Sequence, residues 1–152
     1  MLDLQPLFTL AAEVGAPQVI ADGPYGTRRF IPVTGGSFEG ARLRGRMLPG
    51  GADCQLIRPD GVAELDVRAT FETDDGVIFL MRGLGMRHGS DAVMQRIAAG
   101  EGETVSPHDY YFRESMIFDA PAGKYDWLNR LIAIGTGARR ADQVVIETYE
   151  VR

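Results

Sequence analysis

A single cysteine, Cys54, stands among 152 residues. That excludes an intrachain disulfide and any metal site built on several thiolates. Histidine is scarce too, with only His88 and His108 in the chain. Each sits in a polar stretch, Arg87-His88-Gly89 and Pro107-His108-Asp109, and their spacing matches no metal signature, so no metal site is expected. Long apolar runs are missing, and no segment reaches the length of a membrane span. The opening MLDLQPLF has no basic stretch followed by a long apolar one, so no secretory leader is expected. A cytoplasmic protein with no membrane partner is the simplest expectation. Cationic excess is also absent, since the net charge is −5. Phosphate binding needs clustered Lys and Arg, so this balance argues against nucleic acid as the main partner. Two catalytic signatures are missing as well. There is no G-x-S-x-G elbow. The run from Gly35 to Gly40 lacks the Gly-Lys-Ser/Thr ending and the following helix of a phosphate loop.

The length is that of one domain, residues 1–152, and 45% apolar residues can build a real core. Period-two patterning dominates. Strands are expected at Leu4–Val14, Arg28–Val33, Phe38–Leu48, Asp53–Arg58, Val62–Thr73 and Val77–Arg87. Val62–Thr73 is the clearest: Leu65, Val67, Ala69 and Phe71 share one face, and Glu64, Asp66, Arg68, Thr70 and Glu72 the other. Residues 16–26 read as a loop with a short extended piece at Val19-Ile20. Asp74-Asp75-Gly76 reads as a hairpin turn, because Gly76 accepts positive φ at no steric cost. The pairs Gly35-Gly36 and Gly50-Gly51 read as chain reversals for the same reason. Ser90–Ala99 has an N-cap serine and apolar residues at helical spacing, so it reads as the one helix. Pro107–Asp119 returns to β, Tyr125–Asn129 reads as a short turn, and Leu131–Gly135 with Val144–Val151 forms a closing hairpin. The expectation is an all-β protein, a single antiparallel β-barrel of roughly nine or ten strands with one short helix.

Asp53 opens its strand and shares a face with Gln55, so both are candidates to point into a cavity. Asp66, Arg68 and Thr70 share a face on the next strand. If both faces meet the lumen, a carboxylate, an amide and a guanidinium converge there, a set able to bind and polarise a carbonyl with an acid as general base. The opposite reading puts the polar face of Val62–Thr73 outside and Leu65 to Phe71 in the core. Tyr111 and Arg113 share one face of their strand; Tyr110 and Phe112 share the other. Arg113 is a candidate anion clamp or a structural ion-pair partner. Trp127 reads as an anchor for a closing loop, or as a wall against which a planar ligand stacks. Arg42, Arg44 and Arg46 line one face of a strand, either solvated or as a rail for an anionic ligand.

Three blocks carry a resemblance: RRFIPVTGGSFEGARLRGRMLPGGADCQLIRPDG (Arg28 to Gly61), LDVRATFETDDGVIF (Leu65 to Phe79) and YYFRESMIFDAPAGKYDWLNR (Tyr110 to Arg130). Their motifs are GG-x-F-x-G, L-P-G-G-A-D, D-D-G, Y-F-R and Y-x-W-L-N. In combination they resemble a bacterial family known as domain of unknown function 3237, over nearly the whole chain. The resemblance implies a β-barrel of this length and a bacterial source, and it implies no reaction. It strengthens Asp53 and Arg68 as candidates, since both fall in its blocks. Members often carry an aromatic residue after the aspartate of G-G-A-D, where this chain has Cys54. A locally wider pocket follows if that aromatic lines a site; Cys54 lies on the other strand face from Asp53 and Gln55, which favours packing.

The expectation that follows is a pocket for a small molecule. It is that of a cofactor-independent enzyme acting on an apolar or aromatic carbonyl compound. Asp53 is the expected acid/base, Arg68 and Arg113 bind anion or carbonyl, and Tyr111 donates a hydrogen bond. Gln55, Asp66, Tyr110 and Trp127 contribute to ligand binding. The alternatives are a non-catalytic lipocalin-like carrier or sensor, and a structural oligomerisation domain with a filled core; a homo-oligomer is compatible with each.

Overall fold

The computed structural model describes all residues from Met1 to Arg152. The elements are β1 (Leu4–Val14), β2 (Gln18–Gly23), β3 (Gly26–Glu39), β4 (Arg44–Met47), β5 (Ala52–Ile57), β6 (Ala63–Thr73) and β7 (Ile78–Gly89). There follow α1 (Asp91–Ala98), 3₁₀ turns at Gly102–Thr104 and Pro107–Asp109, β8 (Tyr110–Asp119), a 3₁₀ turn at Asp126–Arg130, β9 (Ala133–Arg139) and β10 (Gln143–Val151). The strands form one antiparallel sheet that closes on itself. From β1 it runs through β10, β9, β8 and β7 to β6; β6 pairs with β4 and β5, both pair with β3, and β3 returns to β1. This is the expected all-β barrel with one short helix. Closure leaves no open edge around the main wall.

The paired glycines do something other than reverse the chain. β4 and β5 are both antiparallel to β3 and to β6, so they run the same way, end to end, along one line of the wall. Gly50-Gly51 is therefore a jog between them, with Gly50 at φ +109°. Gly35-Gly36 lies inside the single long strand β3. There the register against β1 slips, from Glu13 opposite Gly35 to Val14 opposite Val33. Gly36 takes φ +140°, where a side chain would run into the Ala11 carbonyl. A close approach of two strand backbones accounts for glycine at this bulge. The expected loop at 16–26 also holds a true strand, β2, which pairs with β3.

Inside and outside follow the alternation. β8 alternates buried and exposed from Tyr110 to Asp119. On β6, Leu65, Ala69 and Phe71 are buried while Asp66 and Arg68 are exposed. Five phenylalanines fill one end of the lumen. Phe71 and Phe79 stack at 5.2 Å, and Phe38 meets them edge-on at 5.3 and 5.8 Å. Phe8 and Phe118 flank the group at 5.6 Å from Phe38 and 6.1 Å from Phe79. Such contacts add about 0.5–1.5 kcal/mol each to the burial of the rings. Toward the other end, Ser90 caps α1 by accepting from the Val93 amide at 3.4 Å. Ile97 of the helix packs with Leu65, Val105, Tyr110 and Phe112. Outside, Arg42, Arg44 and Arg46 reach Glu150, Asp74 and Glu72. They form a solvated face with acidic neighbours.

Candidate functional site

Away from the phenylalanine plug, the lumen opens into a pocket of about 670 Å³, counted out to and including its mouth. Its walls are largely apolar, with Leu10, Ala12, Val33, Met81, Val144 and Ile146 among them. Six polar side chains enter it: Arg29 from β3, Asp53 and Gln55 from β5, Arg87 from β7, Glu114 from β8 and Arg139 from β9. Their depth follows from the strands. Along β8, the inward residues from the plug outward are Phe118, Met116, Glu114 and Phe112. Arg87 lies opposite Phe112, one inward step nearer the mouth than Glu114. Arg139 is the last residue of β9, and Arg29 is the first inward residue of β3 in the pocket, ahead of Ile31 and Val33; both are only half-buried, so they stand at the rim.

Asp53 and Gln55 are held by a short network. The register pairs Asp53 with Val67 and resumes at Leu56 with Glu64. In that gap the Asp66 amide donates to Asp53 Oδ1 at 3.0 Å. Gln55 Nε2 donates to Asp53 Oδ2 at 3.1 Å, and Arg29 Nη1 donates to Gln55 Oε1 at 3.1 Å. Gln55 is only 1% exposed, so its amide is fixed between the two charged groups.

Arg87 and Glu114 are different. They are 7% and 4% exposed, yet Arg87 Nε and Glu114 Oε1 find no partner on the protein. Glu114 has room because its side chain leans over a glycine of β7: Gly83 sits opposite Met116 in the register, and a Cβ on it would overlap Glu114 Oε1. Burial disfavours the charged carboxylate and pushes Glu114 up to about 8, with the negative charge of Asp53 adding to the effect. Burial also raises Asp53, against its hydrogen bonds from Asp66 and Gln55. Arg87 is brought down to about 10 by burial and by repulsion from Arg139 and Arg29. Burial lowers Arg139 as well, with Arg29 again the repelling neighbour. Two carboxyl groups in unlike environments, one kept neutral and one hydrogen-bonded as an anion, are the arrangement that separates an acid from a base.

Asp53 and Gln55 thus line the pocket. The other expected residues do not join them. Asp66 and Arg68 point outward from β6, because Asp53 faces Val67 and antiparallel partners share a side. Arg113 is outside too, bonded to the Phe112 carbonyl and to Thr136 Oγ1 at 2.9 Å each. Tyr111 is 45% exposed and stacks on His88 at 4.9 Å. Tyr110 is buried, but it packs with the α1 cluster and its hydroxyl accepts the Arg139 amide at 2.8 Å. Trp127 belongs to the 3₁₀ turn at Asp126–Arg130, packs against the core containing the plug and carries the Arg42 guanidinium at 3.5 Å from its ring centre. Cys54 is exposed and leaves the pocket width unchanged.

Four pocket residues escaped the sequence reading: Arg29, Arg87, Glu114 and Arg139. Glu114 had a signal. It interrupts the apolar face of Tyr110, Phe112, Met116 and Phe118, and an acid there is buried if the face is. Arg87 likewise continues the alternation of Phe79 and Met81. Arg29 and Arg139 each adjoin a second arginine, and nothing local says which of the pair turns inward.

Fold and site together define a closed antiparallel barrel, plugged at one end, whose open end holds buried acid and guanidinium groups in an apolar pocket. The chain belongs to the DUF3237 family, described as a protein of unknown function, which it matches over residues 2–151. It is 37% identical over 150 residues to a UPF0311 protein of Rhodopseudomonas palustris strain TIE-1, covering 99% of this chain and 97% of that one. The crystal structure of a conserved protein of unknown function from Rhodopseudomonas palustris superposes with a TM-score of 0.95 at 36% identity, over 100% and 99% of the two chains. An enzyme from Penicillium herquei shares the fold at a TM-score of 0.73 and 18% identity, over 99% and 95%.

Proposed function

We propose that this barrel is a cofactor-independent enzyme that moves a proton on an apolar or aromatic carbonyl compound. One observation carries the reading. Glu114 Oε1 and Arg87 Nε, both buried and both without a partner on the protein, face the same apolar pocket as Asp53. Asp53 is the base, its carboxylate oriented by the Asp66 amide and Gln55. It takes a proton from the atom next to the substrate carbonyl. Glu114 holds a proton at neutral pH and donates it, or a hydrogen bond, to the carbonyl oxygen as negative charge develops there. Arg87 stabilises the same charge electrostatically. It fits this reading that a barrel of the same fold is described as an enzyme. The carrier reading draws support from Asp53, whose two carboxylate oxygens are each already hydrogen-bonded.

Proton–deuterium exchange separates the two. Aromatic ketones that raise the melting temperature are incubated with protein in deuterium oxide and followed by NMR. The enzyme reading expects exchange next to the carbonyl, falling by about 10²–10⁴-fold in Asp53→Asn while affinity stays within about tenfold. A ketone that binds wild-type protein and never exchanges identifies a carrier.

A further inference from the structure

We infer that the substrate enters as an organic anion, an apolar acid whose carboxylate is held at the rim by Arg29 and Arg139 while its carbonyl reaches Arg87 and Glu114. This rests on the pocket being the reaction site as proposed above. Three guanidiniums line one pocket, and none of them lies within ion-pairing distance of any carboxylate on the protein, although ten guanidinium–carboxylate pairs form elsewhere. Asp53 is the single hydrogen-bonded carboxylate against them, and Glu114 stays neutral where it is buried without a donor. The pocket therefore carries more positive charge than its own acids balance, in apolar surroundings where unbalanced charge is costly.

The rim pair is equipped for a carboxylate. Arg29 uses one N–H on Gln55 and Arg139 one on the Gln143 carbonyl at 3.4 Å. A guanidinium has five N–H donors in a planar fork, so each keeps free donors suited to a two-oxygen acceptor. The rest of the ligand must be apolar, because twelve of the eighteen lining residues are. Multiply charged anions are disfavoured at long range: the chain as a whole carries −5, and with the basic pocket set aside the remainder is more negative still.

Two probes with one body test this. Phenylpyruvate carries the carboxylate and ketone; phenylacetone has the ketone alone. Titrations into wild-type protein, Arg29→Gln, Arg139→Gln, Arg139→Lys and the outer-wall control Arg68→Gln are read by calorimetry and by NMR of the Met81 and Ile146 methyl groups. Phenylpyruvate is expected to bind at least about tenfold tighter than phenylacetone. Either glutamine variant should remove that advantage, Arg139→Lys should keep part of it, Arg68→Gln should leave it unchanged, and added salt should reduce it. Equal affinity of the two probes, untouched by the rim variants, overturns the inference and leaves the proposed reaction standing. Failure of both probes to shift the Met81 and Ile146 methyls at millimolar concentration overturns the inference together with the pocket reading.

Discussion

Glu114 is where the residue scale decides most. Burial in the apolar pocket favours the neutral form of its carboxyl, and this links it to stability. Folded, it titrates near 8; unfolded, near the ordinary 4.5. Between those values the folded state binds the extra proton. Its stability is therefore full below about 4.5 and is lost as pH rises through about 8, with a slope of at most about 1.4 kcal/mol per pH unit. Asp53, also raised, acts in the same direction. Glu114→Gln should flatten most of that slope. Melting curves from pH 5 to 8 should show the variant gaining on wild type as pH rises, and parallel curves would mean that Glu114 is ionised in the fold. Gly83 is the counterpart. Gly83→Ala places a methyl on the Glu114 carboxyl and should cost about 1–3 kcal/mol in urea unfolding, the range for overpacking. In a Glu114→Ala background the cost should largely vanish, and that coupling separates a local clash from backbone strain.

Among the elements, β6 and β8 hold the barrel's two functions apart: their Phe71 and Phe118 ends belong to the plug, their Leu65 and Glu114 ends to the pocket. Phe71, fully buried and stacked on Phe79, should cost about 3–5 kcal/mol when truncated to alanine, read as a lowered urea midpoint. Ile97 tests the helix separately. Ile97→Ala should let a protease cut between α1 and β8 while the strands stay folded, because α1 docks on the wall through this one buried residue. The strands were legible because alternation records which face is buried, and the clean pattern of Val62–Thr73 puts Asp66 and Arg68 outside as seen. Placing them in the lumen followed from their chemistry and ran against the pattern. The glycine pairs misled for a different reason. Positive φ marks a turn or a bulge equally, and only the strand running alongside decides which. The arginines at the mouth were illegible because which of two adjacent side chains points inward depends on strand ends and register, which are set by partners far away in sequence.

For the whole molecule, closure joins the two ends of the chain. Leu4 lies opposite Val151, and Asp3 and Arg152 exchange backbone hydrogen bonds at 3.0 and 2.9 Å. A circular permutant that links these ends through a short flexible segment and opens at Gly100, in the exposed turn after α1, should fold with an unchanged far-UV spectrum. A chain lacking β10 should not, since β1 and β9 both lose their shared neighbour. The phenylalanine plug has a kinetic consequence. A tube sealed at one end is a cul-de-sac, so whatever leaves the neighbourhood of Glu114 goes out by the way it came in. A departing molecule and an arriving one contend for a single doorway, and no back exit lets the second push the first along. On the proposed reaction, product and substrate share this one doorway, so the product should act as a competitive inhibitor of the substrate.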